Sequence, residues 1–242
     1  MMYLLLFLPL YTISADSSIL MDSTTYLYGK VKFIHDSLQI TAKTGIITVD
    51  RVKAYDSVQI LDGELKIITD FGEYFWDKKI LLHKGFTAYK KDELLKAMEA
   101  KYFEDQLWLN DSIKYVNTKE NWRLYGQEGF YDTKARFIMI TGEPKFELLQ
   151  DSIEIFGDTI KVYADTLTKV IHNAMIKLKT TKCFAESLIY LPKTSVAWLY
   201  GKPIIASESD SLKGVEMKIT LKEREIERVL VEGNVLGKRW KF

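Results

Sequence analysis

The sequence has few of the residues that mark several protein classes. Its one cysteine, Cys183, allows no disulfide within the chain, so the hydrophobic core has to stabilise the fold. Four prolines and 13 glycines among 242 residues exclude collagen-like and low-complexity chains. No apolar run approaches the roughly 20 residues that a membrane-spanning helix needs. These absences leave a globular chain stabilised by apolar packing.

Neither sign of charge is in excess. The chain has 34 Lys and Arg residues against 33 Asp and Glu residues, which gives a net charge of +1. Proteins that bind DNA or RNA use a basic surplus to displace counterions from phosphates. Nucleic acid is therefore not an expected partner.

Motifs that carry chemistry are also missing. The three histidines, His35, His83 and His172, share no metal-ligand spacing with one another or with Cys183. The sequence has no Gly-x-Ser-x-Gly nucleophile motif, no phosphate-binding P-loop and no dinucleotide fingerprint. We therefore expect a protein that is not an enzyme and that uses no cofactor or metal.

Strands are what the residues favour. Aromatic residues make up 13% of the chain, and aromatic and β-branched residues prefer strands. Apolar and polar residues alternate in several segments, as at Leu38, Ile40 and Ala42, so each strand has one apolar and one solvated face. Residues 91–103 also fit a helix, although the repeats favour strands there. The fold class is predicted to be all-β.

Two repeats predict how the strands are connected. An Asp-Ser-aliphatic tripeptide begins at Asp36, Asp56, Asp111, Asp151 and Asp210. Asp and Ser side chains stabilise turns, so each copy predicts a turn that leads into a strand.

The second repeat begins at a tyrosine. Tyr74, Tyr131 and Tyr190 each precede a glycine by 11 residues, and they lie 57 and 59 residues apart. A polar turn and a strand separate each tyrosine from its glycine. The repeat therefore predicts a recurring hairpin, as in proteins built from stacked supersecondary units.

The start of the chain is typical of an exported protein. An apolar run from Met2 to Leu10 leads into small residues up to Ala15, although no Lys or Arg precedes the run. We expect a signal peptide over residues 1–15 and a single elongated domain over residues 16–242. A buried first strand is the alternative interpretation of the apolar run.

The second repeat resembles a known family. Tyr131 and a strand lead to Thr-Gly-Glu-Pro at 141–144, and Tyr190 and a strand lead to Tyr-Gly-Lys-Pro at 200–203. A Gly-Asn-Val sequence follows at 233–235. This order is similar to the OstA-like family of periplasmic lipopolysaccharide-transport proteins, which includes a bridge protein and the periplasmic domain of an outer-membrane assembly protein.

The resemblance implies an architecture and partners. The fold would be an elongated antiparallel β-jellyroll, folded like a taco around an apolar groove that shields the acyl chains of lipopolysaccharide or lipid A. The implied protein partners are other periplasmic jellyroll transport proteins and the outer-membrane translocon. The implied location is the periplasm, either soluble or peripheral to the outer membrane. The edge segments 26–34 and 226–235 contain no proline, which also permits head-to-tail self-association.

Alternating strands supply the residues that such a groove would need. Eleven residues on the predicted apolar faces are candidates for lipid contact: Leu38, Ile40, Ile160, Val162, Val170, Ala174, Ile176, Leu178, Val215, Met217 and Ile219. The same residues would form the dry core of any β-sandwich.

Two other functions fit the same sequence. The first is a structural or adhesive β-repeat protein with a closed core and polymerising edges. The second is a jellyroll that binds or cleaves carbohydrate and presents exposed aromatic platforms such as Trp76, Trp108 or Trp122.

Overall fold

The chain is built almost entirely of β-strands. The structure, a computed structural model, describes residues 11–238 except residues 151, 165, 209, 223–224 and 235. Most of the predicted signal peptide, residues 1–10, lies outside the described residues, and so does Val235 of the Gly-Asn-Val sequence. The all-β prediction is confirmed, since the described part contains one short 3-10 helix, no α-helix and the following 23 strands. The strands are β1 (Tyr11–Ser14), β2 (Ser17–Met21), β3 (Thr24–His35), β4 (Leu38–Ile47), β5 (Arg51–Asp62), β6 (Leu65–Phe75), β7 (Ile80–Lys90), β8 (Glu93–Ala97), β9 (Glu99–Phe103), β10 (Gln106–Asn117), β11 (Trp122–Asp132), β12 (Phe137–Thr141), β13 (Lys145–Leu148), β14 (Ile153–Phe156), β15 (Thr159–Tyr163), β16 (Leu167–Lys177), β17 (Lys182–Leu191), β18 (Val196–Tyr200), β19 (Ile204–Ala206), β20 (Ser211–Lys213), β21 (Glu216–Lys222), β22 (Glu225–Glu232) and β23 (Leu236–Lys238).

Contacts between Cα atoms divide the chain into two units. Unit 1 comprises residues 1–91 and 98–104, and unit 2 comprises residues 92–97 and 105–242. Strand pairs within each unit are antiparallel, and most join strands that are consecutive in sequence. The hairpins predicted from Tyr74, Tyr131 and Tyr190 are confirmed as β6–β7, β11–β12 and β17–β18. Residues 91–103 form β8 and β9 and no helix.

Bends in the long strands create two layers in unit 1. The pairings of β3 through β7 are each interrupted by a register shift near the middle of the strands. In β5 the shift falls at Asp56 and Ser57, which have φ angles of 62° and 56°. Two successive left-handed residues form a bulge that bends the strand. The halves on either side of the bend enter different layers, one containing β2 and β9 and the other containing β1.

The two layers of unit 1 face each other across apolar side chains. Phe33 lies in the layer that contains β1, and Tyr74 lies in the layer that contains β9. Their ring centroids are 4.8 Å apart, and both side chains are buried. The core of unit 1 therefore lies between the layers.

Unit 2 uses the same construction. Long strands β10, β11, β16 and β17 contribute one half to each layer. Layer A contains β12, β15, β18, β21 and β22 beside these halves. Layer B contains β8, β13, β14, β19, β20 and β23. The bends lie at 111–112 in β10 and at 172–173 in β16, where successive residues again have positive φ.

The Asp-Ser prediction is right at two positions and wrong at two others. Residues 36–37 form the turn between β3 and β4, and Asp210 closes a turn with Ser207 before β20. Residues 56–57 and 111–112 instead lie within β5 and β10, where they form the bends. Turns and bulges both require positive φ, which Asp tolerates, so the tripeptide alone does not distinguish them. Asp151 lies outside the described residues.

Close packing at the bend of β11 gives a stability prediction. A Cβ added at Gly126 would lie 2.2 Å from Ile140 Cγ2 and 2.8 Å from the Thr141 carbonyl oxygen. We expect Gly126→Ala to lower the free energy of unfolding by about 1–3 kcal/mol, because backbone has to move to admit the methyl group. Urea unfolding followed by tryptophan fluorescence measures this change.

Gly72→Ala is the matched control for that substitution. Its added Cβ would lie 3.7 Å from the nearest heavy atom, a methyl carbon of Leu82, which is an ordinary contact. Alanine also restricts the unfolded chain more than glycine does, so stability should stay within about 1 kcal/mol of the parent or rise. Equal losses in the two variants would contradict this account of the bend.

Candidate functional site

Ten of the eleven residues predicted to contact lipid lie in the interior between layers. Leu38 and Ile40 belong to unit 1, and the other eight belong to unit 2. Leu38, the most exposed of the ten, exposes 7% of its surface. The interior is therefore closed to solvent at these positions.

Val215 is the exception. Its side chain is 51% exposed, so the prediction that it shares the inward face of Met217 and Ile219 is wrong. The alternation fails because β21 begins only at Glu216, and Val215 lies in a bend where its N–H donates to the carbonyl of Glu232.

The eight residues in unit 2 belong to both layers. In layer A, Ile160 lies directly opposite Ile140 on one side and Val170 on the other. In layer B, Ile176 lies between Ile155 and Cys183 in the same way. Strand pairing thus makes a continuous apolar inner face on each layer.

The two layers are joined differently on their two sides. On the bend side, the backbone of the long strands runs from one layer into the other. On the opposite side, which we call the mouth, the hairpin turns of the two layers meet, and side chains make the connection. In unit 1 the Tyr74 hydroxyl is hydrogen-bonded to Nδ1 of His35, and the Tyr102 hydroxyl donates to Asp62 at 2.7 Å. Each of these bonds joins one layer to the other.

The mouth of unit 2 has a buried carboxylate. Glu93 of β8 in layer B is 6% exposed and accepts a hydrogen bond from the Tyr131 hydroxyl of layer A. Arg136, in the turn before β12, donates to Glu93 at 2.8 Å. The Tyr115 ring lies edge-on to Tyr131 at 5.5 Å. We call the residues that join the layers at the mouth the clasp residues: His35, Asp62, Tyr74, Glu93, Tyr102, Tyr131 and Arg136.

Burial keeps the clasp tyrosines neutral. Burial, aided by the charges of Asp36 and Asp77, raises the pKa of Tyr74 to about 12. Burial and the Glu93 carboxylate raise the pKa of Tyr131 well above its ordinary value. A neutral phenol keeps its proton for donation, so the hydrogen bond to Glu93 persists at physiological pH.

The sequence contains a regular spacing that identifies the clasps. His35 precedes Tyr74 by 39 residues, Asp62 precedes Tyr102 by 40, and Glu93 precedes Tyr131 by 38. The tyrosine repeat was visible without the structure, but the polar partners were not recognised. Their signal is a polar residue placed about one repeat and a half before each tyrosine.

A cleft opens near the mouth on layer B. It has a volume of about 430 Å³ and lies between the β13–β14 and β16–β17 hairpins. Leu148, Ile153 and Leu178 form its apolar part, and Lys177 and Glu154 form part of its charged rim. Leu178 also belongs to the buried interior, so the cleft adjoins the inner face.

Each unit presents an edge strand. All five residues of β2 in unit 1 are exposed, including Leu20 at 71%. In unit 2, β22 pairs with β21 along one side. Leu230 on β22 is 43% exposed. Both edges combine exposed apolar side chains with backbone that another strand can approach.

The described residues offer little to catalysis. Cys183 is buried, and burial raises the pKa of its thiol to about 12, which disfavours the reactive thiolate. No group of three or more His, Cys, Asp or Glu residues in the described part of the chain is placed to hold a metal ion. Within that same part, no helix is long and apolar enough to cross a membrane.

The tryptophans proposed as sugar platforms differ in exposure. Trp122 is 2% exposed and stacks on Tyr115, so it presents no free face. Trp76 stacks on Tyr11 at 5.0 Å. Trp108 is 39% exposed, but its neighbour Phe130 meets it at a steep angle and makes no flat platform with it.

Comparison with known proteins adds little. No protein-family profile matches the sequence. No curated protein matches it either. Among solved structures, the chain is similar to LptH of Pseudomonas aeruginosa, described as the LptA-homologous periplasmic component of a lipopolysaccharide transport device. The identity is 16%, the match covers 55% of this chain and 82% of that one, and the TM-score is 0.25. A likeness this weak decides nothing about the present chain.

The clasp of unit 2 gives a stability prediction. Tyr131→Phe removes a hydrogen bond to a buried carboxylate, so we expect the free energy of unfolding to fall by about 1.5–3 kcal/mol. Urea unfolding monitored by fluorescence measures the loss. Tyr163→Phe, which removes the hydroxyl of a 37% exposed tyrosine in the same layer, should change stability by less than about 0.5 kcal/mol. A tolerant Tyr131→Phe variant would show that this bond does not hold the layers together.

The raised pKa of Tyr74 predicts sensitivity to alkali. The unfolded chain ionises this phenol near pH 10, whereas the folded chain holds its proton until about pH 12. Its contribution to stability is therefore complete below pH 10 and is lost as the pH rises towards 12. We expect the unfolding midpoint of Tyr74→Phe to vary less with pH over this range than that of the parent. Parallel curves for the two proteins would contradict the assignment.

Proposed function

We propose that this chain is a non-enzymatic carrier of lipopolysaccharide or a related acylated lipid, and that the lipid's acyl chains occupy the interior between the two layers. The proposed contact residues are Leu38, Ile40, Ile160, Val162, Val170, Ala174, Ile176, Leu178, Met217 and Ile219. We infer that the chain is exported by a signal peptide and works in the periplasm. The proposed carrier domain is residues 16–242.

The asymmetric joining of the layers is the observation that carries this proposal. Backbone connects them at the bends, but separate side-chain contacts connect them at the mouth, as with Tyr131 and Glu93. Opening the mouth breaks a few hydrogen bonds and leaves the strand ladders intact. A fold of this kind can admit an elongated apolar ligand from one side and keep its two sheets.

The interior has the chemistry that acyl chains require. Val170, Ile176 and Ile160 are each 0% exposed and lie on facing apolar surfaces. Burying a methylene contributes about 0.8 kcal/mol, so a chain of ten could gain roughly 8 kcal/mol before ordering costs. Leu178 connects this interior to the cleft on layer B, which makes the cleft the proposed point of entry.

The edge strands support a bridging role. Strand β22 has an unpaired side among the described residues, and β2 is exposed along its length. We infer that such edges pair with other periplasmic jellyroll proteins, with the outer-membrane translocon or with a second copy of the chain. The resemblance of the Tyr-to-Gly-x-Pro repeat to OstA-like proteins supports the same partners.

A closed structural β-repeat is the second candidate function. The observation that favours it is the complete burial of the interior residues, since a fully packed core needs no ligand. The two candidates differ in whether the mouth opens, and this difference is measurable.

Photo-crosslinking from the interior tests the carrier function. Phe146 in β13 is 0% exposed, whereas Phe184 in β17 of the same layer is 41% exposed and points outward. Each is replaced by p-benzoylphenylalanine in the full chain, which is expressed in a lipopolysaccharide-producing host and irradiated in the cell. We expect a lipopolysaccharide adduct from position 146 and little or none from position 184, because only the first side chain faces the interior.

The outcome also decides between the two candidates. Adduct formation is read on gels with a lipopolysaccharide antibody and by mass spectrometry of extracted lipid. A folded position-146 variant without adduct, together with a parent that carries no lipid, would reject the carrier and leave the closed β-repeat. Adducts of equal yield at both positions would mean surface contact only and would equally reject the proposed interior site.

A further inference from the structure

The outer face of layer A in unit 2 is unusually apolar. Strand pairing aligns one row of directly opposite residues from β10 to β22 on this face. Six members of the row are apolar, among them Trp108, Phe130 and Trp198, and the other three are lysines. The solvated face of an antiparallel sheet is normally polar, so this composition calls for a partner.

Aromatic rings form a continuous strip at one end of this face. Trp108, Phe130, Phe137 and Tyr163 follow one another with centroid separations of 5.6, 6.2 and 4.9 Å. Trp108 and Tyr163 are 39% and 37% exposed. Aromatic side chains with one apolar side and one solvated side are enriched where proteins meet the lipid–water interface.

The lysines of the row lack opposing charge. Lys161 and Lys169 lie directly opposite each other on β15 and β16. None of the residues opposite or diagonal to them on the neighbouring strands β12 and β17 is a carboxylate. Like charges in such positions destabilise a sheet, and a bound anion would relieve the repulsion. The third lysine, Lys218, lies over the Trp198 ring at 4.8 Å.

The other outer face of unit 2 is neutralised at the equivalent place. On layer B the central lysine, Lys145, lies 2.6 Å from Glu147 and 2.5 Å from Glu154. These carboxylates raise the pKa of Lys145, and Lys145 in turn helps to lower the pKa of Glu154. Layer A therefore differs from layer B by leaving basic charge available beside aromatic side chains.

We propose that the outer face of layer A in unit 2 docks on an anionic lipid surface. The aromatic strip enters the headgroup region, and Lys161, Lys169 and Lys218 contact lipid phosphates. Lipid is favoured over an acidic protein because the apolar and basic residues alternate along one flat face, which suits a headgroup layer better than a single pocket. The carboxylates of this face, such as Glu128 and Glu216, lie in the neighbouring row nearer the bends, so the basic row and the mouth side would face the lipid.

Vesicle binding tests the proposal with a matched pair of variants. The full chain is titrated with phosphatidylcholine vesicles and with vesicles that contain about one quarter phosphatidylglycerol. The test variant carries Lys161→Gln, Lys169→Gln and Lys218→Gln. The control carries Lys96→Gln, Lys114→Gln and Lys213→Gln, which remove the same charge from the outer face of layer B.

We expect the parent to bind the anionic vesicles and the test variant to bind them roughly a hundredfold more weakly. Each lysine near an anionic surface contributes about fivefold in affinity, so three contribute about a hundredfold. The control should bind within about threefold of the parent. A second variant, Trp108→Ser with Tyr163→Ser, should reduce the binding that survives high salt, because salt screens only the lysine contacts.

Several results would overturn the proposal. These are equal binding to both kinds of vesicle, equal losses in the two lysine variants, or no vesicle binding while an acidic protein binds the same face. The proposal is independent of the interior cargo, since crosslinking from position 146 reports the cargo and vesicle titration reports docking. Failure of one therefore leaves the other standing.

Discussion

Each long strand of this protein has to serve two layers, and the rest of the structure follows from that constraint. A strand changes layer only where its ladder of hydrogen bonds is interrupted, and pairs of left-handed residues make the interruption at 56–57, 111–112 and 172–173. The bends gather on one side of each unit, so the hairpin turns gather on the other. The mouth and its clasp residues are a consequence of where the strands bend.

Local patterns in the sequence were enough to predict the strands, but they did not distinguish turns from bends. Alternation identified inward residues such as Ile160 and Met217, because the period of a strand is fixed at two residues. It failed at Val215, where the strand had not yet begun. The Asp-Ser copies were ambiguous because a tight turn and a bulge demand the same positive φ, and which of them forms depends on the strands that pair alongside.

The candidate site depends on contacts that sequence spacing shows only indirectly. Glu93 and Tyr131 are 38 residues apart and meet only because β8 and β11 belong to opposite layers of one unit. The row that contains Lys161 and Lys169 is likewise invisible in the chain, since its members come from different strands and align only through register. A sequence without its register gives the inner faces of the strands but not the order in which side chains meet across them. Whether the interior is open was equally beyond the sequence, because the same apolar residues line a groove and a closed core.

A closed interior is compatible with carrying lipid when the cost of opening is compared with the gain from filling. A typical hydrogen bond contributes about 0.5–1.5 kcal/mol net, and a buried methylene about 0.8 kcal/mol. One or two methylenes therefore offset each clasp bond that opens, and the apolar surfaces that separate regain contact with the acyl chain between them. The empty fold closes because its inner faces would otherwise meet water, and the same faces favour any acyl chain that replaces the lost contact. Burial of Val170 and Ile176 is thus what an unloaded carrier of this design requires, and the hydrogen bonds at the mouth set how readily it opens.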